Sequence, residues 1–129
     1  MTLLAVRDVT KAYPGPDGPV PVLRGASLDL DAGASLALTG ESGSGKSTLL
    51  HLIGGLDRPD GGSIRLGGRE VTALDDRGRA RLRREAVAVV FQQFNLIPSL
   101  DARANIAFQA RLKGARDETW EARLADRLG

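Results

Sequence analysis

The stretch from Gly40 to Thr48 constrains this chain more than any other feature of its 129 residues. It begins Gly-Glu-Ser-Gly-Ser-Gly-Lys-Ser, which matches the pattern G-x-x-x-x-G-K-[ST] in full. Glycines let a backbone wrap closely around an anion and turn successive N–H groups inward, and a helix that follows adds its positive N-terminal end. The stretch therefore predicts a P-loop, a site for the phosphates of a nucleoside triphosphate.

The residue types in the loop fit that chemistry, and so does their setting. Lys46 is predicted to reach the β- and γ-phosphates as a point charge, and the Ser47 hydroxyl to ligate magnesium, a cation that prefers oxygen. The apolar segment Ser35–Thr39 predicts a strand before the loop, and a helix is predicted from Lys46 until Gly54-Gly55 ends it. The predicted nucleotide-binding residues of the loop are Gly40, Glu41, Ser42, Gly43, Ser44, Gly45, Lys46, Ser47 and Thr48.

The rest of the chain predicts an α/β fold whose N-terminal part is antiparallel. The continuous β-branched run Ala86–Phe91 predicts a central strand that is buried on both faces. Apolar spacing and turn residues predict the other elements. These are strands at Thr2–Val9, Val22–Leu30 and Ser63–Leu66, a helix near Asp75–Arg84, a helix from the cap Asp101 to Lys113, and a last helix carrying Trp120, Leu124 and Leu128.

Composition excludes several classes of protein. With 42% hydrophobic and 26% charged residues the chain has the profile of one soluble globular domain. Cysteine is absent, which excludes disulfides and thiolate metal sites and favours a reducing cytoplasm. No stretch is long and apolar enough to span a bilayer. The basic run Arg77–Arg84 contains no aromatic residue, so it predicts a solvated helix face and no nucleic-acid partner.

Several segments together resemble the ATP-binding cassette of ABC transporters. Val22–Gly33 is similar to the strand pair that precedes the family's P-loop, and Leu49–Gly62 to the helix and turn that follow it. Val89–Pro98, which reads Val-Val-Phe-Gln-Gln-Phe-Asn-Leu-Ile-Pro, resembles the Q-loop of the subgroup that serves macrolide export and lipoprotein release. The resemblance covers nearly the whole chain and implies a P-loop NTPase of the ABC type, with ATP and Mg²⁺ as cofactors.

The resemblance also implies roles outside the P-loop. Tyr13 matches the A-loop aromatic that stacks on adenine, and Gln92 matches the Q-loop glutamine, so the implied magnesium ligands are Ser47 and Gln92. The region from Gln92 to Pro98 is expected to contact a transmembrane permease, with Phe94–Pro98 facing that partner. A second ATP-binding subunit completes the expected assembly, which places the chain in the cytoplasm, peripheral on the inner face of the cell membrane.

The family's later motifs are missing from the sequence. It contains no LSGGQ-type signature and no Walker B strand, because the nearest imitation, Val71–Asp76, is interrupted at Thr72. His51 follows the P-loop on its helix and is predicted to be a helix-face residue rather than the switch histidine. We therefore expect residues 1–129 to form a partial ATP-binding domain with A-loop, Walker A and Q-loop but no C-terminal half. No catalytic set is complete in this chain, and we expect negligible ATP hydrolysis by it alone.

Two other interpretations stay open. In the first interpretation, the chain binds a nucleotide without hydrolysing it and is either a gene remnant or a regulatory decoy. In the second it is a small P-loop kinase, whose lid arginines would come from Arg77–Arg84; the Q-loop wording argues against this. The membrane partner selects the transported substrate, so the sequence of this chain does not identify it.

Overall fold

A computed structural model describes residues 1–93, 96–114 and 117–129, and the chain divides into two compact units, Met1–Ala88 and Val89–Gly129. The first unit combines an antiparallel sheet with two helices. Its elements are β1 (Thr2–Tyr13), β2 (Val20–Asp31), α1 (Lys46–Ile53), β3 (Gly61–Leu66), β4 (Arg69–Glu70) and α2 (Asp76–Glu85). Both N-terminal strands are longer than predicted, and Tyr13 is the last residue of β1 rather than the first of a turn.

The sheet has the strand order β2-β1-β3-β4, and every pair is antiparallel. β1 pairs with β2 along its whole length, from Thr2 opposite Asp31 to Tyr13 opposite Val20. The antiparallel N-terminal part is therefore confirmed. Because β1 ends at Tyr13, this pairing brings the predicted aromatic residue to the start of β2.

A β-bulge interrupts β1 at Asp8. Leu4 and Val6 are buried, but the next buried residue is Val9, and the register with β2 shifts between Val6 and Val9. Asp8 has a φ of 48°, a left-handed conformation that few residues other than glycine adopt, and its N–H donates to Ser27 Oγ at 2.9 Å. The extra residue exchanges the two faces of the strand, so Val9 and the largely buried Lys11 side chain lie on one face beyond the bulge.

The core of the first unit lies between the sheet and the two helices. α1 contributes Leu49 and Leu52, and α2 contributes Leu82. The fully buried large side chains are Val6, Val9, Leu52 and Ile64. Apolar burial of this kind is the main favourable term in folding, so α1 is held by Leu49 and Leu52 more than by its own propensity.

Two predicted strands are absent. Residues 35–39 and 87–91 have no regular secondary structure, and Ala86 is the C-cap of α2. Val90, predicted to be buried on both faces, is 97% exposed. A strand is stable only when a neighbour pairs with its N–H and C=O groups. No strand within the described part of the chain pairs with either segment, so the apolar pattern alone does not produce a strand.

The second unit contains α3 (Ala102–Lys113) and α4 (Glu118–Leu128), which contact each other. Asp101 caps α3 by accepting a hydrogen bond from the Ala104 N–H at 2.7 Å, and Gly114 ends the helix in the left-handed conformation. Both predicted ends of α3 are confirmed. α4 also forms, although Trp120 on its predicted stripe is 53% exposed. Among the residues described, no helix has the length and apolar character to cross a membrane.

Candidate functional site

The predicted P-loop is an irregular loop that leads directly into α1. Gly45 is the N-cap of this helix, with a φ of 97°, and Lys46 is its first residue. A glycine cap has no side chain to accept hydrogen bonds from the N–H groups of the first turn. These donors and the positive end of the helix are therefore directed to whatever anion enters the loop.

The Lys46 side chain folds back over the loop from which it projects. Its ammonium group donates to the Gly40 carbonyl at 2.8 Å, to the Glu41 carbonyl at 2.6 Å and to Ser44 Oγ at 3.1 Å. An ammonium group has three hydrogens, so the loop's own oxygens satisfy it. The positive charge is thereby held inside the loop, at the place where phosphate oxygens would compete for the same donors.

Close packing against β2 holds the end of the loop in place. A Cβ on Gly45 would lie 2.9 Å from Leu23 Cδ2 and 3.0 Å from the Val22 carbonyl oxygen, so a side chain does not fit there. Gly43 also has a left-handed backbone, with a φ of 80°, but nothing lies within 4 Å of the position of its Cβ. The two glycines therefore differ: Gly43 meets only a conformational requirement, and Gly45 meets a conformational and a steric one.

The remaining loop residues are accessible. Glu41, Ser42 and Ser44 are exposed, and Ser47 is exposed in the first turn of α1. Within the described residues, no three histidine, cysteine or acidic side chains gather into a metal site. The magnesium role of the Ser47 hydroxyl stays a prediction.

Tyr13 is anchored at two points. Its hydroxyl donates to Asp57 Oδ2 at 3.1 Å, and the Lys11 ammonium lies 5.2 Å from the centroid of its ring. Tyr13 also borders an open, largely apolar pocket of about 380 Å³, which includes Pro14 and Pro19 in its lining. β2 links this residue to the P-loop, because Val20 pairs with Tyr13 while Val22, two residues further on, lies against Gly45.

Sequence reasoning missed the cluster that holds Tyr13. Lys11 Nζ donates to the Arg58 carbonyl at 2.7 Å and to Asp57 Oδ1 at 3.4 Å, and it lies 3.8 Å from Asp60 Oδ1. Burial raises the pKa of Asp57, but hydrogen bonds from the Arg58 N–H and the Tyr13 hydroxyl, together with the Lys11 charge, outweigh it and hold that pKa below its ordinary value. No local signal marks these residues. The break in alternation after Val6 is the one hint that the sequence offers.

Gln92 lies in the second unit, exposed in a bend. Phe94 and Asn95, predicted to face the permease, lie outside the described residues. Further along the same segment Leu96 is 63% exposed, and Ile97 is half-buried. The segment as far as Pro98 therefore presents an apolar side chain to solvent, and the ligand and partner roles of Gln92 stay predictions.

Asn105 of α3, also missed in the sequence, fastens this segment to the helix. Its Oδ1 accepts a hydrogen bond from the Ile97 N–H at 2.8 Å, and its Nδ2 donates to the carbonyls of Leu100 and Asp101, both at 3.0 Å. A single amide that bonds several backbone groups gives a loop a defined shape. The backbone at Ile97 and Leu100 is thus tied to α3 by one side chain.

The basic run Arg77–Arg84 belongs to α2, as predicted. Arg81 pairs with Glu85 at 3.0 Å, Arg79 with Asp76, and Arg83 donates to the Gly55 carbonyl. These arginines are engaged within the first unit, which weighs against a kinase lid. His51 is half-buried on α1, in line with its predicted place on a helix face.

The chain matches the family model described as ABC transporter over residues 23–128. It is 48% identical to the pyoverdine export ATP-binding/permease protein PvdT of Pseudomonas entomophila over 98% of this chain and 20% of that protein. It is 43% identical to the macrolide export ATP-binding/permease protein MacB of Marinobacter nauticus, covering 98% of this chain and 19% of that protein. The lipoprotein-releasing system ATP-binding protein LolD 1 of Rhodopirellula baltica is 40% identical, over 98% of this chain and 57% of that protein.

The structure is similar to that of the ATP-binding cassette MJ0796, solved as a dimer in a post-hydrolysis state bound to ADP and Pi. The TM-score is 0.84 at 35% identity, covering 92% of this chain and 52% of that chain. This likeness confirms the predicted fold class, a P-loop α/β core with an antiparallel N-terminal sheet. The chain spans about a fifth of the exporter relatives and just over half of LolD 1 and of the matched cassette.

Proposed function

This chain belongs to the ABC transporter family, as the resemblance of its motifs predicted, and from that premise we propose that it binds ATP with magnesium as the nucleotide-binding part of a bacterial transporter. One observation carries the proposal. The Lys46 ammonium is held within its own loop at the N-terminus of α1, 2.6 to 3.1 Å from three oxygens. A fixed cation beside helix N–H donors is the arrangement that a triphosphate requires.

The residues present fit the phosphates and the metal. Lys46 would exchange the oxygens of Gly40, Glu41 and Ser44 for those of the β- and γ-phosphates, and no atom of the protein lies within 4 Å of the Cβ position of Gly43 in the same loop. Ser47 would supply an oxygen to magnesium, and Gln92 is the second ligand that we propose. Magnesium bound there would neutralise part of the phosphate charge.

The base end of the nucleotide is assigned to Tyr13. An aromatic ring offers a flat apolar face on which adenine stacks, and base stacking contributes roughly 1–3 kcal/mol per ring. Support comes from the position of Tyr13 at the end of β1, from the apolar pocket beside it and from the link through β2 to Gly45. The proposed nucleotide site therefore runs from the P-loop to the end of the first strand.

Hydrolysis and transport are proposed for the complete protein. Without a Walker B carboxylate the attacking water lacks a base, and without a signature segment a second subunit's site lacks its closing part. We propose that two such ATP-binding subunits act together and that the ATP hydrolysis they catalyse drives transport through the permease. We propose that the 129 residues alone bind ATP and release negligible phosphate.

The proposed contact with the permease is the region Gln92–Pro98. The relatives named ATP-binding/permease proteins carry both activities in their names. The exposed Leu96 and the fastening of Ile97 by Asn105 supply an apolar side chain on a shaped loop, which suits a protein partner. The chain would then lie in the cytoplasm, on the inner face of the membrane.

Calorimetric titration with Mg-ATP and with Mg-tripolyphosphate tests the proposal. Lys46→Ala is expected to weaken binding of both by about 100-fold, because it removes the one cation of the loop that reaches the phosphates. Arg24→Ala, which removes an exposed cation from β2, is the matched control and should change both affinities less than twofold. Wild-type affinity in Lys46→Ala, or a wild-type chain that binds neither compound, would overturn the proposal.

A further inference from the structure

The segment after α1 grips the end of β1 through side chains that the P-loop does not use. Asp57 lies at the centre of this grip: one carboxylate oxygen accepts from the Tyr13 hydroxyl, and the other accepts from Lys11 and from the Arg58 N–H at 2.7 Å. Asp60 adds a backbone contact, accepting from the Ala12 N–H at 2.7 Å. Two acidic residues of the segment 57–60 thus bind three consecutive residues of the strand.

The bulge at Asp8 makes this grip possible. Beyond the bulge Val9 is fully buried and the Lys11 side chain is 12% exposed, and Tyr13, 37% exposed at the end of the strand, reaches Asp57 from the same face as Lys11. With regular alternation from Leu4 and Val6, both side chains would lie on the opposite face of the sheet. The bulge therefore places Lys11 and Tyr13 on the face of the strand from which both reach Asp57.

Burial shows that Lys11 is held rather than solvated. Its side chain is 12% exposed, and taking an ammonium group out of water is costly unless partners replace the water. Asp57, Asp60 and the Arg58 carbonyl are those partners. Held in this way, Lys11 lies against one face of the Tyr13 ring, in the arrangement of a cation–π pair.

We propose that Asp57 is a positioning residue for the adenine end of the nucleotide. It fixes the Tyr13 ring by its hydroxyl and fixes Lys11 against that ring, and the 37% of Tyr13 that stays exposed is the surface offered to the base. A ring held in its binding orientation loses less conformational freedom when a ligand stacks on it, so Asp57 strengthens the preference for ATP over a bare triphosphate. The inference rests on the proposed ATP-binding function.

The test compares Mg-ATP with Mg-tripolyphosphate, which carries phosphates and no base, in calorimetric titrations of the full chain. The variants are Asp57→Ala, Asp57→Asn, which keeps an acceptor for the Tyr13 hydroxyl, and Tyr13→Ala, alone and combined with Asp57→Ala. Asp31→Ala, at an exposed carboxylate at the end of β2, is the matched control. Circular dichroism and thermal unfolding establish that each variant is folded.

Asp57→Ala is expected to weaken ATP binding about fivefold and to leave tripolyphosphate binding unchanged, since only the base loses its support. Asp57→Asn should recover part of the loss. In the Tyr13→Ala background, which itself lowers ATP affinity about tenfold, Asp57→Ala should add nothing. Asp31→Ala should match the wild type with both ligands.

A spectroscopic measurement covers the case in which Asp57→Ala fails to fold. Tyr13 is the chain's only tyrosine, so 3-fluorotyrosine labels it alone. ATP is expected to shift the ¹⁹F resonance and tripolyphosphate to leave it in place, and the shift should be smaller in Asp57→Asn. An equal shift in wild type and Asp57→Asn would overturn the positioning role.

The outcomes separate this inference from the proposed function. If the wild type binds neither compound, both fail. If it binds both and Asp57→Ala weakens them equally, or the effects of Asp57→Ala and Tyr13→Ala add, the P-loop proposal stands and the positioning role is wrong. If ATP binds no more tightly than tripolyphosphate in the wild type, the base makes no contribution and the positioning role is again wrong.

Discussion

The phosphate end and the base end of the candidate site are built in different ways. At the phosphate end, the Lys46 ammonium donates hydrogen bonds to residues at most six positions away, and two of its three acceptors are backbone carbonyls. At the base end, the Tyr13 hydroxyl donates to Asp57, 44 residues away, and the Lys11 side chain lies over the Tyr13 ring. A phosphate can be held by N–H groups that any residue offers, whereas a flat base needs one aromatic side chain in one orientation.

This difference predicts how substitutions at each end of the candidate site act. A change at the phosphate end acts through backbone conformation and packing at the changed residue itself. A change at the base end acts at a distance, through the strand that carries Tyr13 or the segment that grips it. Variants at the two ends, measured with the same two ligands, therefore test whether the ends are independent.

The largest effect is expected at Gly45. Gly45→Ala combines a left-handed backbone, costing about 1 kcal/mol, with a collision against Leu23 and the Val22 carbonyl, so we expect the free energy of unfolding to fall by about 3 kcal/mol. Gly43→Ala has the same backbone problem and open space, and should cost about 1 kcal/mol. Urea unfolding measures both. Equal losses in the two variants would show that packing against β2 is not what holds the loop end.

A smaller effect is expected at the bulge. Asp8→Val places a β-branched residue at a φ of 48°, and we expect ATP affinity to fall about threefold as Tyr13 loses its direction, with tripolyphosphate affinity unchanged. Asp8→Gly keeps the left-handed conformation without strain and serves as the control, with affinities within twofold of the wild type. If Asp8→Val and Asp8→Gly bind ATP equally well, the bulge does not contribute to binding of the adenine base.

The smallest effect concerns salt. Raising the salt concentration from 0.05 to about 0.5 M screens the charges around the phosphates, so ATP and tripolyphosphate should weaken together. The loss should be steeper for tripolyphosphate, which carries one more negative charge than ATP, because stacking on Tyr13 adds no salt dependence of its own. Calorimetry at the two salt concentrations measures both losses. A steeper loss for ATP than for tripolyphosphate would mean that the base end also acts by charge.

Local signals in the sequence predicted several elements correctly. The helix from Lys46 to the Gly54 stop and the helix between Asp101 and Gly114 form where caps and glycines placed them. These features depend on groups within a few residues of one another. The antiparallel pair β1 and β2 also forms, since one short connection joins the two strands.

The predictions that failed depended on distant partners. Segment 86–91 has the composition of a buried strand, yet Val90 is almost fully exposed, because its described neighbours include no strand to pair with. The same holds for 35–39, where Leu36 is exposed. An apolar, β-branched composition permits a segment to form a strand, but the strand forms only when a neighbouring strand pairs with its backbone N–H and C=O groups.

The sequence by itself determined the predicted P-loop: Gly40–Thr48 is one contiguous motif, so its glycines, its lysine and the helix that follows stay together wherever the loop lies. Only the tertiary structure decided the setting of Tyr13. The bulge at Asp8 turns the strand, and Asp57 reaches it from beyond α1. Such contacts join residues that chain order keeps apart, and folding energy is gained only when the intervening loop has closed, so no local pattern records them.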